Sequence, residues 1–405
     1  MKENKLFQLA LGLQQPWEVQ SLSFDAERRR LDIVLDFPRG SVFTCPVCSR
    51  GDTKAYDTVQ KTWRHLNFFQ HETYLTARVP RVQCDKCGIH LVDVPWARQG
   101  SGFTLFFEAM ILQLAGAMPV KRIADLVGEH DTKLWRVLQH YIEETRREAD
   151  YSGVTKVGVD ETSSKRGHNY VSVFVDLDGP RVLFATTGRD CTTVDRFRDD
   201  LHAHSGDARS IEEFCCDMSP AFITGITDLF PDTPITFDKF HVMKLLNEAV
   251  DKVRQEELKA RSELKGTRYI WLKNRKNLKK SQAENLDKLL LSKINLKTVR
   301  AYQIRLNFQE LYNQPPEQAE KYLRKWYFWA THSRLEPIIK VAKTIKRHWD
   351  GVLRWFTSNV NNGILEAVNS LIQAAKAKAR GYRSVRNLIT MIYIIAGKLQ
   401  FGLPT

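Results

Sequence analysis

No apolar run in this sequence is long enough to cross a bilayer. A membrane helix needs about 20 consecutive apolar residues; the run near Met391–Ala396 is far shorter, and Leu6–Leu13 is broken by Gln8 and Gly12. The expected protein is therefore soluble and intracellular, without a secretory leader. Internal repeats and low-complexity segments are also lacking, which argues against a solenoid or a linker-dominated chain. Cysteine is scarce, with seven in 405 residues. Four of them form two Cys-x-x-Cys pairs, a pattern of metal ligands in a reducing compartment and not of a disulfide framework. Cys191, Cys215 and Cys216 lack such spacing and are expected to be strand or core thiols. Acidic side chains are in deficit, 47 Asp and Glu against 61 Lys and Arg, for a formal net charge of +14. The surplus is concentrated: residues 253–305 hold 15 basic and 5 acidic side chains, and residues 340–386 hold 10 and 2. Two such concentrations in one chain favour a polyanion as partner, nucleic acid first.

A chain of this length with 43% hydrophobic residues can bury several cores, and two to four domains are expected. Cys45-Pro-Val-Cys48 and Cys84-Asp-Lys-Cys87-Gly88 flank an alternating stretch, Glu72–Pro80. Each pair can aim two thiolates at one tetrahedral ion, so Cys45, Cys48, Cys84 and Cys87 are expected to hold one structural Zn2+ in a zinc ribbon within residues 1–98. His65 and His90 could replace a thiolate, but four cysteines suffice. Residues 99–150 read as a helix-turn-helix domain and linker. Within Val120–Leu138, Ala124 allows close helix crossing, Gly128 forms the turn, and Ile123, Val127, Leu134 and Val137 face inward. Thr132, Lys133, Arg136 and His140 are left on the outer face of the second helix, where a major groove would lie. Glu129 stands where an apolar turn residue is more usual. Ile142–Asp150 reads as a charged helical linker.

From Val154 the hydrophobic period shortens to two. Val154–Asp160, Tyr170–Leu177, Arg181–Thr186, Ile211–Asp217 and Pro234–Phe237 read as strands, with helices near Val194–His204 and Ala221–Leu229. Three strands joined by short turns, followed by crossovers through helices, predict a mixed five-stranded sheet of RNase H-like order. The fold class is accordingly multidomain α/β, with this core at 151–242 plus 356–405 and a basic helical insertion at 243–355. Trp326, Trp329, Trp349 and Trp355 are assigned to the insertion's helical core.

Three carboxylates draw attention: Asp160 and Asp217 at strand ends, and Glu366 in a helix over residues 363–380. That helix places Ile364, Leu365, Val368, Leu371, Ile372 and Ala375 on one face and Glu366, Asn369, Gln373, Lys376 and Arg380 on the other, before Gly381 stops it. Such acids can converge on two divalent cations about 4 Å apart, which activate an attacking oxygen and stabilise a leaving one at a phosphodiester. Lys376, Lys378, Arg380 and Arg383 supply phosphate-binding charge beside them.

The segments Val-Gly-Val-Asp160-Glu, Cys-Cys-Asp217-Met-Ser-Pro-Ala-Phe, Phe-Asp238-Lys-Phe-His241-Val and Asn362-Gly-Ile-Leu-Glu366-Ala-Val-Asn-Ser-Leu-Ile resemble the DDE transposases of bacterial insertion sequences, and among them the ISL-three family. The resemblance covers nearly the whole chain. It implies that Asp160, Asp217 and Glu366 bind two Mg2+ or Mn2+ ions, with Asp160 bridging both, for hydrolysis at an element end and transfer of the freed 3′-hydroxyl. Glu161, Asp238 and His241 are nearby groups whose roles stay open. The resemblance further implies double-stranded DNA partners (terminal inverted repeats and target), a homodimer or larger synaptic complex, and a cytoplasmic, nucleoid-associated location. A DNA-binding regulator descended from a transposase and an RNase H-like nuclease or junction resolvase are the competing readings.

Overall fold

The computed structural model describes residues 3–403 apart from Arg166, His168, residues 292–294, Asn359, Asn361 and Asn362. Asn362, which opens the motif before Glu366, thus lies outside the described residues. The chain divides into two compact units, Met1–Glu143 with Gln400–Thr405, and Glu144–Leu399.

The first unit begins with α1 (Glu3–Ala10) and continues through β1 (Glu18–Asp25), β2 (Arg30–Asp36), β3 (Val42–Phe43), β4 (Thr53–Phe68), β5 (His71–Cys84) and β6 (Gly88–Leu91). These strands form one sheet in the order β1-β2-β5-β4-β3, with β6 also on β5. The β4–β5 hairpin is antiparallel, whereas β2 joins β5 in parallel. Alternation decides which face is buried: Leu31, Ile33 and Leu35 of β2 and Leu75, Ala77 and Val79 of β5 pack with Trp17, Trp63 and Trp96 in one core.

Three helices follow, α2 (Leu105–Ala117), α3 (Val120–Val127) and α4 (Asp131–Arg147). Thr104 caps α2 by accepting a hydrogen bond from the Phe107 amide. Gly128 ends α3 at φ 72°, a left-handed conformation that favours glycine and turns the chain into α4. Ile123, Ala124, Val127, Leu134 and Val137 are buried, as their spacing predicts. Glu129 is tolerated at the turn because its carboxylate, only 11% exposed, pairs with Lys133 Nζ at 2.8 Å. The expected linker is helical through Arg147, as the continuation of α4.

The second unit contains β7 (Lys156–Ser163), β8 (Tyr170–Asp176), β9 (Arg181–Thr187), α5 (Cys191–Ala203), β10 (Glu213–Cys216), α6 (Pro220–Leu229) and β11 (Ile235–Phe237). The sheet order is β11-β10-β7-β8-β9, antiparallel across β7, β8 and β9 and parallel across β7, β10 and β11. This is the mixed five-stranded sheet predicted from the sequence. Helices α7 (Lys239–Leu258), α8 (Arg268–Leu272), α9 (Lys280–Leu291), α10 (Lys297–Leu311), α11 (Pro316–Thr331), α12 (Glu336–Arg347), α13 (Trp349–Leu353) and α14 (Trp355–Ser358) come next, then α15 (Gly363–Lys378) and α16 (Val385–Ala396). Trp326 and Trp349 are buried as expected, but Trp329 is 37% exposed because it sits on the outer side of α11. Cys215 and Cys216 are buried in β10, whereas Cys191 is exposed where α5 begins.

Helix α15 lies directly on β7. A Cβ at Gly158 would fall 2.8 Å from Leu365 Cδ2 and 2.8 Å from Leu177 Cδ2, so the absence of a side chain there sets the helix-to-strand distance. Gly158→Val is expected to destabilise the protein by about 1–3 kcal/mol through overpacking, read as a lower denaturant midpoint.

Candidate active site

Strand register places the acids. Cys215 of β10 lies opposite Gly158 of β7, and Cys216 lies opposite Phe237 of β11. Continuing this pairing sets Asp217 level with Asp160 on one side and with Asp238 on the other. Three carboxylates therefore occupy one row across adjacent parallel strands, which are spaced about 4.8 Å apart. Asp217 and Asp238 directly follow β10 and β11, whereas Asp160, expected at a strand end, lies within β7, which runs on to Ser163 because its pairing with β8 continues past the acid. The Asp238 amide donates to Cys216 O at 3.0 Å, tying this end of the row together.

Glu366 approaches from α15. The polar face of that helix runs along β7: Asn369 Nδ2 donates to Asp160 Oδ2, Gln373 Nε2 to Thr162 Oγ1 at 2.9 Å, and Lys376 Nζ to Ser163 O. Glu366 lies one turn before Asn369 on the same face. It is exposed and makes no hydrogen bond among the described residues. Asn369 is a site residue that the sequence placed on the correct face without disclosing its partner.

The electrostatics reflect crowding of negative charge. Burial pushes the Asp160 carboxyl above its ordinary range; His241 opposes the shift, while Asp217 and Asp238 add to it. Glu161 is likewise raised, by burial and by Asp217, against the pull of Arg189. Asp238 is 3% exposed and has both oxygens engaged, Oδ1 by the Phe240 amide at 2.9 Å and Oδ2 by His241 Nδ1 at 2.8 Å. Burial lowers the His241 imidazole, but the hydrogen bond to Asp238 and the charges of Asp160, Asp238 and Asp217 outweigh it and hold it above its usual value. His241 lines a cavity of about 610 Å³ together with Asp217, Glu161, Arg189 and Lys244.

This donor set fits hard divalent cations. It consists of carboxylate oxygens whose mutual repulsion a cation would relieve. The oxygens of Asp160, Asp217 and Glu366 are not all within 4.8 Å of one another; among the described residues only the cysteines form so tight a group.

The Sγ atoms of Cys45, Cys48, Cys84 and Cys87 all lie within 4.8 Å of each other, with Cys48 and Cys84 at 3.6 Å. Tetrahedral Zn2+ with Zn–S bonds of about 2.3 Å requires sulfur separations near ~3.8 Å, and the cluster fits one ion. Hydrogen bonds from the Lys86 and Cys87 amides draw the Cys84 thiol down to about 6. Hydrogen bonding to Cys48, burial and the neighbouring Cys84 push Cys87 up to about 12.

On α4, Thr132, Lys133 and Arg136 are exposed and His140 is half-buried. Lys378, Arg380 and Arg383 are exposed at and beyond the end of α15, whereas Lys376 is engaged by Ser163 O and Gln373 Oε1 and its ammonium is lowered by burial. No helix of the described residues is long and apolar enough to cross a membrane.

A family model described as "Transposase" matches residues 157–392, the span that contains all three acids. A second, "Helix-turn-helix domain of transposase family ISL3", matches residues 92–142, and a third, "zinc-finger of transposase IS204/IS1001/IS1096/IS1165", matches residues 41–87. The transposase for insertion sequence element IS1557 of Mycobacterium tuberculosis is 27% identical over 96% of this chain and 95% of its own length. That for IS1001 of Bordetella parapertussis is 28% identical over 95% of the chain and 96% of its own length. With the zinc ribbon, the helix-turn-helix and the acid-bearing sheet matched in chain order, the chain belongs to the ISL3 family of DDE transposases.

Proposed function

We propose that this transposase binds the terminal inverted repeats of its insertion sequence, hydrolyses the phosphodiester at each element end, and transfers the freed 3′-hydroxyl to a second DNA. The observation that carries this reading is the row Asp160, Asp217, Asp238 across adjacent parallel strands, with the polar face of α15 docked onto β7 so that Glu366 stands one turn from the partner of Asp160. Asp160, Asp217 and Glu366 are the proposed ligands of two Mg2+ or Mn2+ ions. When bound, such ions would sharpen the attacking oxygen as a nucleophile and stabilise the departing one.

The chain's own residues do the rest. Asn369 orients Asp160, and Gln373 and Lys376 anchor α15 to the strand. Asp238, with both oxygens occupied inside the protein, orients His241 in the cavity and does not serve as a ligand. Lys378, Arg380 and Arg383 hold DNA phosphates without reading sequence, while α4 approaches the major groove of the repeats. Joining two ends in one reaction calls for a homodimer or larger synaptic complex, acting on DNA in the cytoplasm at the nucleoid.

The test is an assay of the purified chain with Mg2+ and duplexes carrying the element ends. The expected products are 3′-hydroxyl ends at the repeat boundary and joined strands. Cut ends without joining would point to a nuclease, and equal binding of repeats and unrelated DNA would sink the reading. Within this scheme His241→Ala removes the imidazole whose charge faces Asp160 and Asp217 and is expected to slow single-turnover cleavage about 10- to 100-fold, the order of loss when a group beside metal ligands is removed, with repeat affinity unchanged. Cleavage at the parental rate would remove His241 from the site.

A further inference from the structure

A second cavity, of about 390 Å³, lies wholly within the first unit, walled by β4, the loop 98–103 and the N-terminal half of α4. Its charged lining is lopsided, with Arg64, Arg98, Lys133 and Arg136 against Glu129 alone. We propose that this cavity grips a backbone phosphate of the DNA bound along α4, and that Lys133 and Arg136 hold that phosphate instead of reading bases. The inference rests on the proposed DNA binding and divides the labour within it.

Part of the wall is held in place by the fold itself. Arg64 is 3% exposed; its Nη1 donates to Thr73 O at 3.2 Å, its Nη2 to Asn67 Oδ1 at 2.6 Å, and its guanidinium stands 5.3 Å from the Tyr74 ring centroid. Its Nη1 also donates to His65 O, and its Nη2 stands 3.9 Å from Glu72 Oε1, so the guanidinium is fixed on several sides. Arg98 is fixed from behind by Glu108, a fully buried carboxylate that accepts from Arg98 Nε at 3.0 Å, from Ser101 Oγ at 2.6 Å and from Tyr141 Oη at 2.7 Å. Lys133 is steered by Glu129 at 2.8 Å. Arg136 alone makes no hydrogen bond or ion pair among the described residues, leaving its fork open for a bidentate oxyanion contact.

A phosphodiester matches these features in charge and in reach. Two guanidiniums already ordered by the fold lose little freedom on binding it, which favours affinity. Thr132, exposed on α4 and outside the cavity wall, and His140 are then the candidates on this helix for contact with base edges.

Two exposed positions test the idea without disturbing the core. Arg136→Gln removes the open fork, and Thr62→Glu places a carboxylate on the opposite wall; zinc content and tryptophan fluorescence report that both variants fold. Binding is measured by fluorescence anisotropy across a salt series, on the terminal repeat and on an unrelated duplex. Both variants are expected to lose about tenfold in affinity for both duplexes at low salt, and Arg136→Gln to lower the salt slope by about one. A scan of the repeat with single methylphosphonates should find one phosphate whose neutralisation weakens the parent chain but not Arg136→Gln. A collapse of the repeat-to-unrelated ratio in Arg136→Gln would assign that residue to base reading and overturn the proposal, as would unchanged binding by both variants. A parent chain that does not prefer the repeat sinks the wider functional reading instead, while parallel losses on both duplexes would still uphold the phosphate grip.

Discussion

Asp217→Asn and Glu366→Gln are each expected to lower Mg2+-dependent cleavage of element ends by at least about a thousandfold, while binding to the terminal repeats stays within about twofold of the parent. The size of the loss follows from what a ligand to a catalytic cation contributes. Charge stabilisation of several kcal/mol in the transition state, at 1.36 kcal/mol per decade, corresponds to about three decades of rate. Asn and Gln preserve shape and hydrogen bonding but remove the negative charge on which a hard cation depends. Asp217 accepts the Ser219 amide at 2.9 Å, a bond that Asn can also accept, so folding should survive. Glu366 is exposed and free of hydrogen bonds among the described residues, which makes Glu366→Gln the cleaner test of chemistry against stability. Single-turnover cleavage and gel-shift titration on the same duplex separate the two effects. Cutting by either variant at the parental rate would refute the ligand assignment, whatever the DNA affinity.

The second unit was the more legible from sequence because its signals are periodic and local. Val157, Val159, Phe174 and Phe214 are buried in strands whose apolar runs announced them, and the short turn at Asp178-Gly179 fixed antiparallel pairing of β8 with β9. The α15 face was also legible, since Leu365, Val368 and Ile372 recur at helical spacing and are buried. Its edges were not: Leu371 is 49% exposed although it shares the apolar sector. What single-residue periodicity could not supply was register. Asp238 was visible as an acid, but its alignment with Asp217 emerges only when Cys216 is seen opposite Phe237. The hydrogen bond from Asn369 to Asp160 spans 209 positions, and no local pattern encodes it.

In the first unit the zinc ligands were evident from spacing, yet the β1–β2 hairpin went unread. Its signal was present in Arg30–Asp36, where Leu31, Ile33 and Leu35 alternate with polar or less buried residues. The parallel addition of β2 to β5 is a non-local pairing, and it converts a two-knuckle ribbon into the edge of a six-stranded sheet with its own aromatic core. That larger sheet changes what loss of the metal should do.

Cys45→Ser is expected to abolish stoichiometric zinc binding and to unfold the knuckle end of the sheet without unfolding all of it. A structural zinc site couples on the order of 10 kcal/mol of apparent binding free energy to folding. Most of that coupling here falls on residues near the ion, where β3 has only two residues and β6 four. The Cys45 amide already donates to Arg50 O at 2.8 Å and the Ser49 amide to Cys45 O at 3.0 Å, but two such bonds cannot hold a turn whose four sulfurs no longer share an ion. Farther along the hairpin, Trp17 and Trp63 stand 4.8 Å and 5.6 Å from Trp96 in edge-to-face contact, a cluster that burial stabilises independently of metal. Metal analysis should therefore read near zero, and amide exchange should accelerate in residues 42–50 and 84–91. Tryptophan fluorescence should keep its native position. Because the ligands must be thiolates, zinc retention in the parent should fall as pH falls, and a chelator should reproduce the variant. Unchanged zinc content in Cys45→Ser would rule out the four-sulfur site. Collapse of the tryptophan signal together with the metal would show instead that the whole sheet, and not its knuckle end alone, depends on the ion.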